Sequence, residues 1–132
     1  MKIFEKISIL LFSSLVVSYF ITYIILTTSA FSDDCRAGYV LILYTIIFVI
    51  VPFVLSLTAY LNQIKKIRSN LYLSFLSFTF LPFSFTFLPL ILNYNENKEI
   101  IKLSMPYIIC MIISYILFRL YLKKNINTKD YD

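Results

Sequence analysis

Two aspartates, Asp33 and Asp34, stand directly before Cys35 and Arg36. Adjacent carboxylates can hold a hard cation, but such an ion needs several further oxygen ligands, and the sequence offers none nearby. A solvated loop is the better reading. Cys35 and the second cysteine, Cys110, form neither a CxxC pair nor a zinc spacing. Both read as free thiols, with a disulfide as the minor alternative because Cys110 lies about 10 Å down its helix. Histidine is absent, which removes the commonest metal ligand and the commonest general base. The many serines and threonines therefore have no base to turn them into nucleophiles. A single glycine leaves neither a phosphate-cradling loop nor a GxxxG pairing motif. No catalytic residue, cofactor site or metal site is expected.

What the hydroxyls can do is pack. Ser14, Ser18 and Thr22 recur every four residues, which places them on one helix face. Ser77-Phe78-Thr79-Phe80-Leu81-Pro82 returns unchanged as Ser84-Phe85-Thr86-Phe87-Leu88-Pro89. Seven residues make nearly two turns, so Pro82 and Pro89 share a face, with Thr79 and Thr86 beside them. In lipid, small hydroxyl faces let helices approach closely. These five residues are expected to form a helix-packing or partner face, with packing inside the chain the more economical of the two.

The elements that must position them are membrane helices. Hydrophobic residues make up 60% of the 132 and charged residues 14%, more apolar surface than a soluble core of this size could bury. Four long runs predict four helices, over residues 7–31, 39–61, 71–92 and 103–122. Each is long enough to cross a hydrocarbon core of roughly 30 Å. The first run is too long for the apolar region of a signal peptide, so a retained helix is expected. The alternation of Phe78, Phe80, Phe83, Phe85 and Phe87 resembles strand periodicity, but a lone strand in lipid would leave its backbone unpaired. Pro52 and Pro82 are expected to break or kink their helices, while Pro106 falls in a first turn, where proline is tolerated. The result is an all-α membrane protein: one domain over 1–132, a four-transmembrane-helix bundle with a polar tail over 123–132.

Basic residues set its orientation. If both termini and the 62–70 loop are cytoplasmic, that side holds Lys2, Lys6, Lys65, Lys66, Arg68, Arg119, Lys123, Lys124 and Lys129. The other side keeps Arg36, Lys98 and Lys102. This bias follows the positive-inside rule. The net charge of +5 is thus a set of membrane-flanking charges, not a nucleic-acid surface. Lys65, Lys66 and Arg68 would favour anionic headgroups, and Arg119 can snorkel toward them beside Lys123 and Lys124.

Two function classes fit. The spans carry no mid-membrane aspartate, glutamate, histidine or lysine, groups that pumps and proton-coupled transporters place there. That favours a protein of the bacterial cytoplasmic (inner) membrane, not an enzyme, acting by helix–helix contact with an integral membrane partner or a membrane-inserted toxin, as immunity and exclusion proteins do. The alternative is an oligomeric channel, lined by hydroxyls or backbone, or an accessory subunit of a transporter.

Overall fold

The computed structural model describes residues 3–28, 42–43, 46–92 and 98–126, nearly all of them helical. Helix α1 covers Ile3–Thr28. Glu5 lies in its first turn, where a carboxylate meets the positive end of the helix dipole. At its other end Thr27 and Thr28 donate back to carbonyls of Tyr23, Ile24 and Ile25. The paired aspartates, Cys35 and Arg36 lie outside the described residues, as do Lys2, Lys129 and the last six positions.

The second apolar rod, α2 (Ile46–Gln63), is not uniform. It is a π-helix over Ile46–Ile50, an α-helix over Val51–Leu55 and a 3-10 helix over Ser56–Gln63. The change centres on Pro52, whose ring crowds the carbonyl four residues back and which has no N–H to donate. A wider π turn just before it makes room. Pro52 therefore changes the type of the helix instead of interrupting it.

At Ile64 the chain turns to an extended conformation, with ψ of 120°. A five-residue helix, α3 (Lys65–Ser69), follows within the expected loop, and Asn70 turns the chain again. Asn70 Oδ1 accepts from the Tyr72 and Leu73 amides at 3.0 and 3.3 Å, so it caps α4, Leu71–Leu92. That helix stays α-helical through Pro82.

Four described boundaries differ from the expected ones, one of them the end of α2, which runs to Gln63 and not to 61. Helix α1 begins at Ile3, a turn before the end of the N-terminal charges. Helix α5 runs over Lys98–Ile126, not 103–122. Glutamate and lysine are good helix formers, so the charges that close an apolar run do not close the helix. As a consequence Lys123 and Lys124 belong to the last helical turns and not to a tail, and Pro106 lies inside the helix and not in its first turn.

Among the described residues, four helices are long and apolar enough to cross a membrane. They pack in a ring: α1 on α5, α5 on α4, α4 on α2 and α2 back on α1. Contacts between distant positions give their directions. Ser8 meets Tyr60 while Leu26 packs with Phe48 and Leu103, so α1 runs antiparallel to both α2 and α5. One end of the bundle gathers the start of α1, all of α3 and the close of α5. The core is centred on Ile7, Leu11, Val49, Phe78, Tyr107 and Phe118, with a smaller cluster of Leu26, Phe48 and Leu103 toward the opposite end.

Candidate functional site

Where the helices face one another, the bundle interior carries, among the described residues, hydroxyls and the amide of Asn62. The 3-10 geometry of α2 explains how they get there. With three residues per turn, positions i and i+3 eclipse, so Ser56, Ala59 and Asn62 line up, and all three are fully buried. An α-helical reading would have spread them. The small or polar residue at every third position was the signal available in the sequence; the amide of Asn62, read as the start of a loop, belongs to the core.

Each polar member reaches across a helix boundary. The Ser56 and Tyr107 hydroxyls are 2.6 Å apart, joining α2 to α5, with Ser14 of α1 beside the same phenol. Ser8 and Tyr60 are 2.9 Å apart. Thr58 Oγ1 donates to the Ser77 carbonyl at 2.7 Å. Asn62 Nδ2 donates to the Ala59 carbonyl at 3.0 Å and to Ser77 Oγ. Tyr115 donates its phenol proton to the Leu71 carbonyl at 3.1 Å. The result is a polar seam on three faces of α2 and the near end of α4. In a low-dielectric interior such pairs are strong when complete, and each unpaired group is costly. Three buried atoms, Thr22 Oγ1, Asn62 Oδ1 and Ser74 Oγ, have no hydrogen-bond partner among the described residues.

The residues singled out by spacing divide as follows. Ser14, Ser18 and Thr22 are at most 3% exposed and face inward. Ser14 and Ser18 donate to the carbonyls of Leu11 and Leu15, three residues back on their own helix, at 2.8 and 3.1 Å. With its proton spent on its own backbone, each behaves toward the neighbour as a small, smooth side chain. That neighbour is α5: Ser14 Oγ lies 3.6 Å from Met111 Sδ, and Ser114 Oγ donates to the Leu10 carbonyl at 3.4 Å. Thr79, Pro82 and Thr86 are buried on one face of α4, and both threonines donate to the carbonyl four residues back. Thr86 takes the Pro82 carbonyl, at 3.0 Å. The hydroxyl stripes thus lie inside the bundle.

Lys65, Lys66, Lys123 and Lys124 are exposed, and Arg68 and Arg119 half-buried. Arg119 Nη1 donates to the Arg68 carbonyl at 3.1 Å, which ties the far end of α5 to α3. Lys6 Nζ lies 5.5 Å from the centre of the Tyr121 ring. Cys110 is a half-buried free thiol in α5. Among the described residues no three histidine, cysteine, aspartate or glutamate side chains come together.

No protein-family model matches the chain, and neither a curated protein nor a solved structure does. Function must be read from the bundle itself. Among the described residues its interior side-chain bonds run within a helix or between its own helices, and its outside is apolar: Phe12, Phe20, Phe80 and Leu88 are each at least 58% exposed. Along α4, Phe80, Phe83, Ser84, Phe87, Leu88 and Ile91 line a shallow outer groove, in which the Phe83 and Phe87 rings stack at 5.5 Å.

Proposed function

We propose that the chain is a multi-pass protein of a bacterial cytoplasmic membrane that acts by binding another membrane-inserted protein one to one, blocking a membrane-active toxin. The observation that carries this reading is the division of polar and apolar groups. The interior side chains bond within their own helix or, as Ser56, Thr58 and Asn62 do, across to a neighbouring span, and the exposed sides of those spans are hydrocarbon and aromatic. Such a surface recognises a partner by shape within the bilayer. The hydroxyl stripes, being interior, would set the shape of the bundle, and the partner would meet the outer faces.

Both termini are taken as cytoplasmic. The Arg119–Arg68, Lys6–Tyr121 and Ser8–Tyr60 contacts gather the start of α1, α3 and the end of α5 at one end, and the positive-inside rule assigns the cytoplasm to that basic end. Alkaline phosphatase fused after Asp132 should be inactive, and fused after Asp34 active.

Function is tested by expressing the full chain in a bacterial host challenged with a panel of pore-forming toxins. Survival against one toxin and not the others is the expected result, together with co-purification of that toxin. The pure protein in liposomes should conduct no ions. Selective flux without protection would overturn the binding reading in favour of a channel.

A further inference from the structure

Five cations at the basic end have no counter-ion among the described residues. Lys65, Lys66 and Arg68 of α3, and Arg119 and Lys123 near the close of α5, form no ion pair among the described residues. The one acid described at that end is Glu5. A half-buried guanidinium normally sits against a carboxylate, yet Arg119 spends one of its five N–H groups on a neutral carbonyl, that of Arg68. That bond has a second effect. It draws the α5 guanidinium to the backbone of α3, at the residue that carries a second arginine side chain. Lys123 is one turn beyond Arg119 on the same face. Arg68 and Ile67 are the half-buried residues of α3, while Lys65, Lys66 and Ser69 are exposed, so the short helix lies against the bundle with its charges along the edge.

We propose that Arg68, Arg119 and Lys123 hold the phosphate of an anionic phospholipid at the junction of α3 and α5. The planar fork of arginine matches phosphate oxygens two at a time, and two such forks with an ammonium would surround one phosphate diester. The position selects a lipid over other anions. The cluster lies at the end of four apolar spans, at the level where headgroups sit, and basic pockets between transmembrane helices at that level bind acidic headgroups. Helix α3 then serves as a clamp: the lipid phosphate bridges the 62–70 connection to the end of α5, and its acyl chains run down the outer face beside them.

The experiment is native mass spectrometry of the full chain, purified in detergent and offered an equimolar mixture of phosphatidylglycerol and phosphatidylcholine. Phosphatidylglycerol should be retained at least tenfold over phosphatidylcholine. Each removed charge should weaken that retention roughly fivefold, the equivalent of about 1 kcal/mol, with phosphatidylcholine unchanged. Arg119→Gln also removes the bond to Arg68 and could disturb folding. The double variant Arg68→Gln, Lys123→Gln keeps that bond, because Arg68 contributes only its backbone carbonyl to it, and so tests the site in a folded protein. Equal retention of the two lipids, or undiminished retention by the double variant, overturns the proposal. Displacement of the lipid by millimolar inorganic phosphate would point to a free-anion site, and displacement by polyglutamate to an acidic protein; either also overturns it.

Discussion

The α1–α5 contact and the α2–α4 contact solve the same problem in different ways. Neither can draw on the hydrophobic effect if lipid surrounds the bundle, since lipid tails are as apolar as leucine. Between α1 and α5 the fit is mainly one of size, crossed by the long contacts of Ser114 to the Leu10 carbonyl at 3.4 Å and of Ser14 to Met111 Sδ at 3.6 Å. Leu10, Leu11 and Met111 are buried there, and Ser14 and Ser18 have turned their protons onto their own helix. Between α2 and α4 the fit is one of hydrogen bonds: Thr58 to the Ser77 carbonyl and Asn62 to Ser77 Oγ. A serine can thus be a spacer or a fastener, and what decides is whether its oxygen meets a donor on the next helix, since Ser56 and Ser77 also donate to carbonyls of their own helix. The geometry of its helix matters as well, because only the 3-10 stretch puts Ser56 and Asn62 on one line.

The difference can be broken most forcefully at Ser18. Replacement by leucine should overpack the α1–α5 contact and cost about 3 kcal/mol, read as a lower unfolding temperature in detergent and lower abundance in the membrane. Ser18→Ala should be close to neutral, since only a bond within one helix is lost. If the alanine variant were as damaging as the leucine variant, the spacer role would be wrong.

Next comes Leu11→Ala, with about 2 kcal/mol expected from the cavity. This is the low end of values for buried leucines, because lipid removes most of the transfer part. Asn62→Ala should cost about 1 kcal/mol, typical of interhelical hydrogen bonds in bilayers, and should spare α1–α5. Cysteine cross-linking between α1 and α5 would show that contact intact; its loss would mean that the two interfaces are not separable. Smallest of all is Leu88→Ala. This side chain is 60% exposed, so stability should change by less than about 0.5 kcal/mol, while partner binding through the outer groove of α4 would show any loss. A large drop in stability would mean that Leu88 is covered.

Run length and hydropathy were enough to find four helices long and apolar enough to span a membrane, because a bilayer leaves few other options for such runs. The four-residue spacing of Ser14, Ser18 and Thr22 and the repeat around Thr79 and Thr86 were visible for the same reason: each belongs to one helix. What periodicity does not carry is the rotation of one helix against another. Ser56 and Tyr107 are neighbours across 51 positions of chain, and no local pattern in either segment points to the other. The fate of Asn62 was hidden differently. A polar residue just before a basic run looks like a loop, and only the switch to three residues per turn at Ser56 brings it inside. Charge misled at α5 too, where Lys123 and Lys124 ended the apolar run but continued the helix.

The change of helix type at Pro52 also alters length. A 3-10 helix rises about 2.0 Å per residue against 1.5 Å for an α-helix. The eight residues Ser56–Gln63 therefore reach about 4 Å further than they would in α geometry. That extra reach falls in the last turns of α2, next to α3, so it carries the start of the basic segment further along the rod than α geometry would.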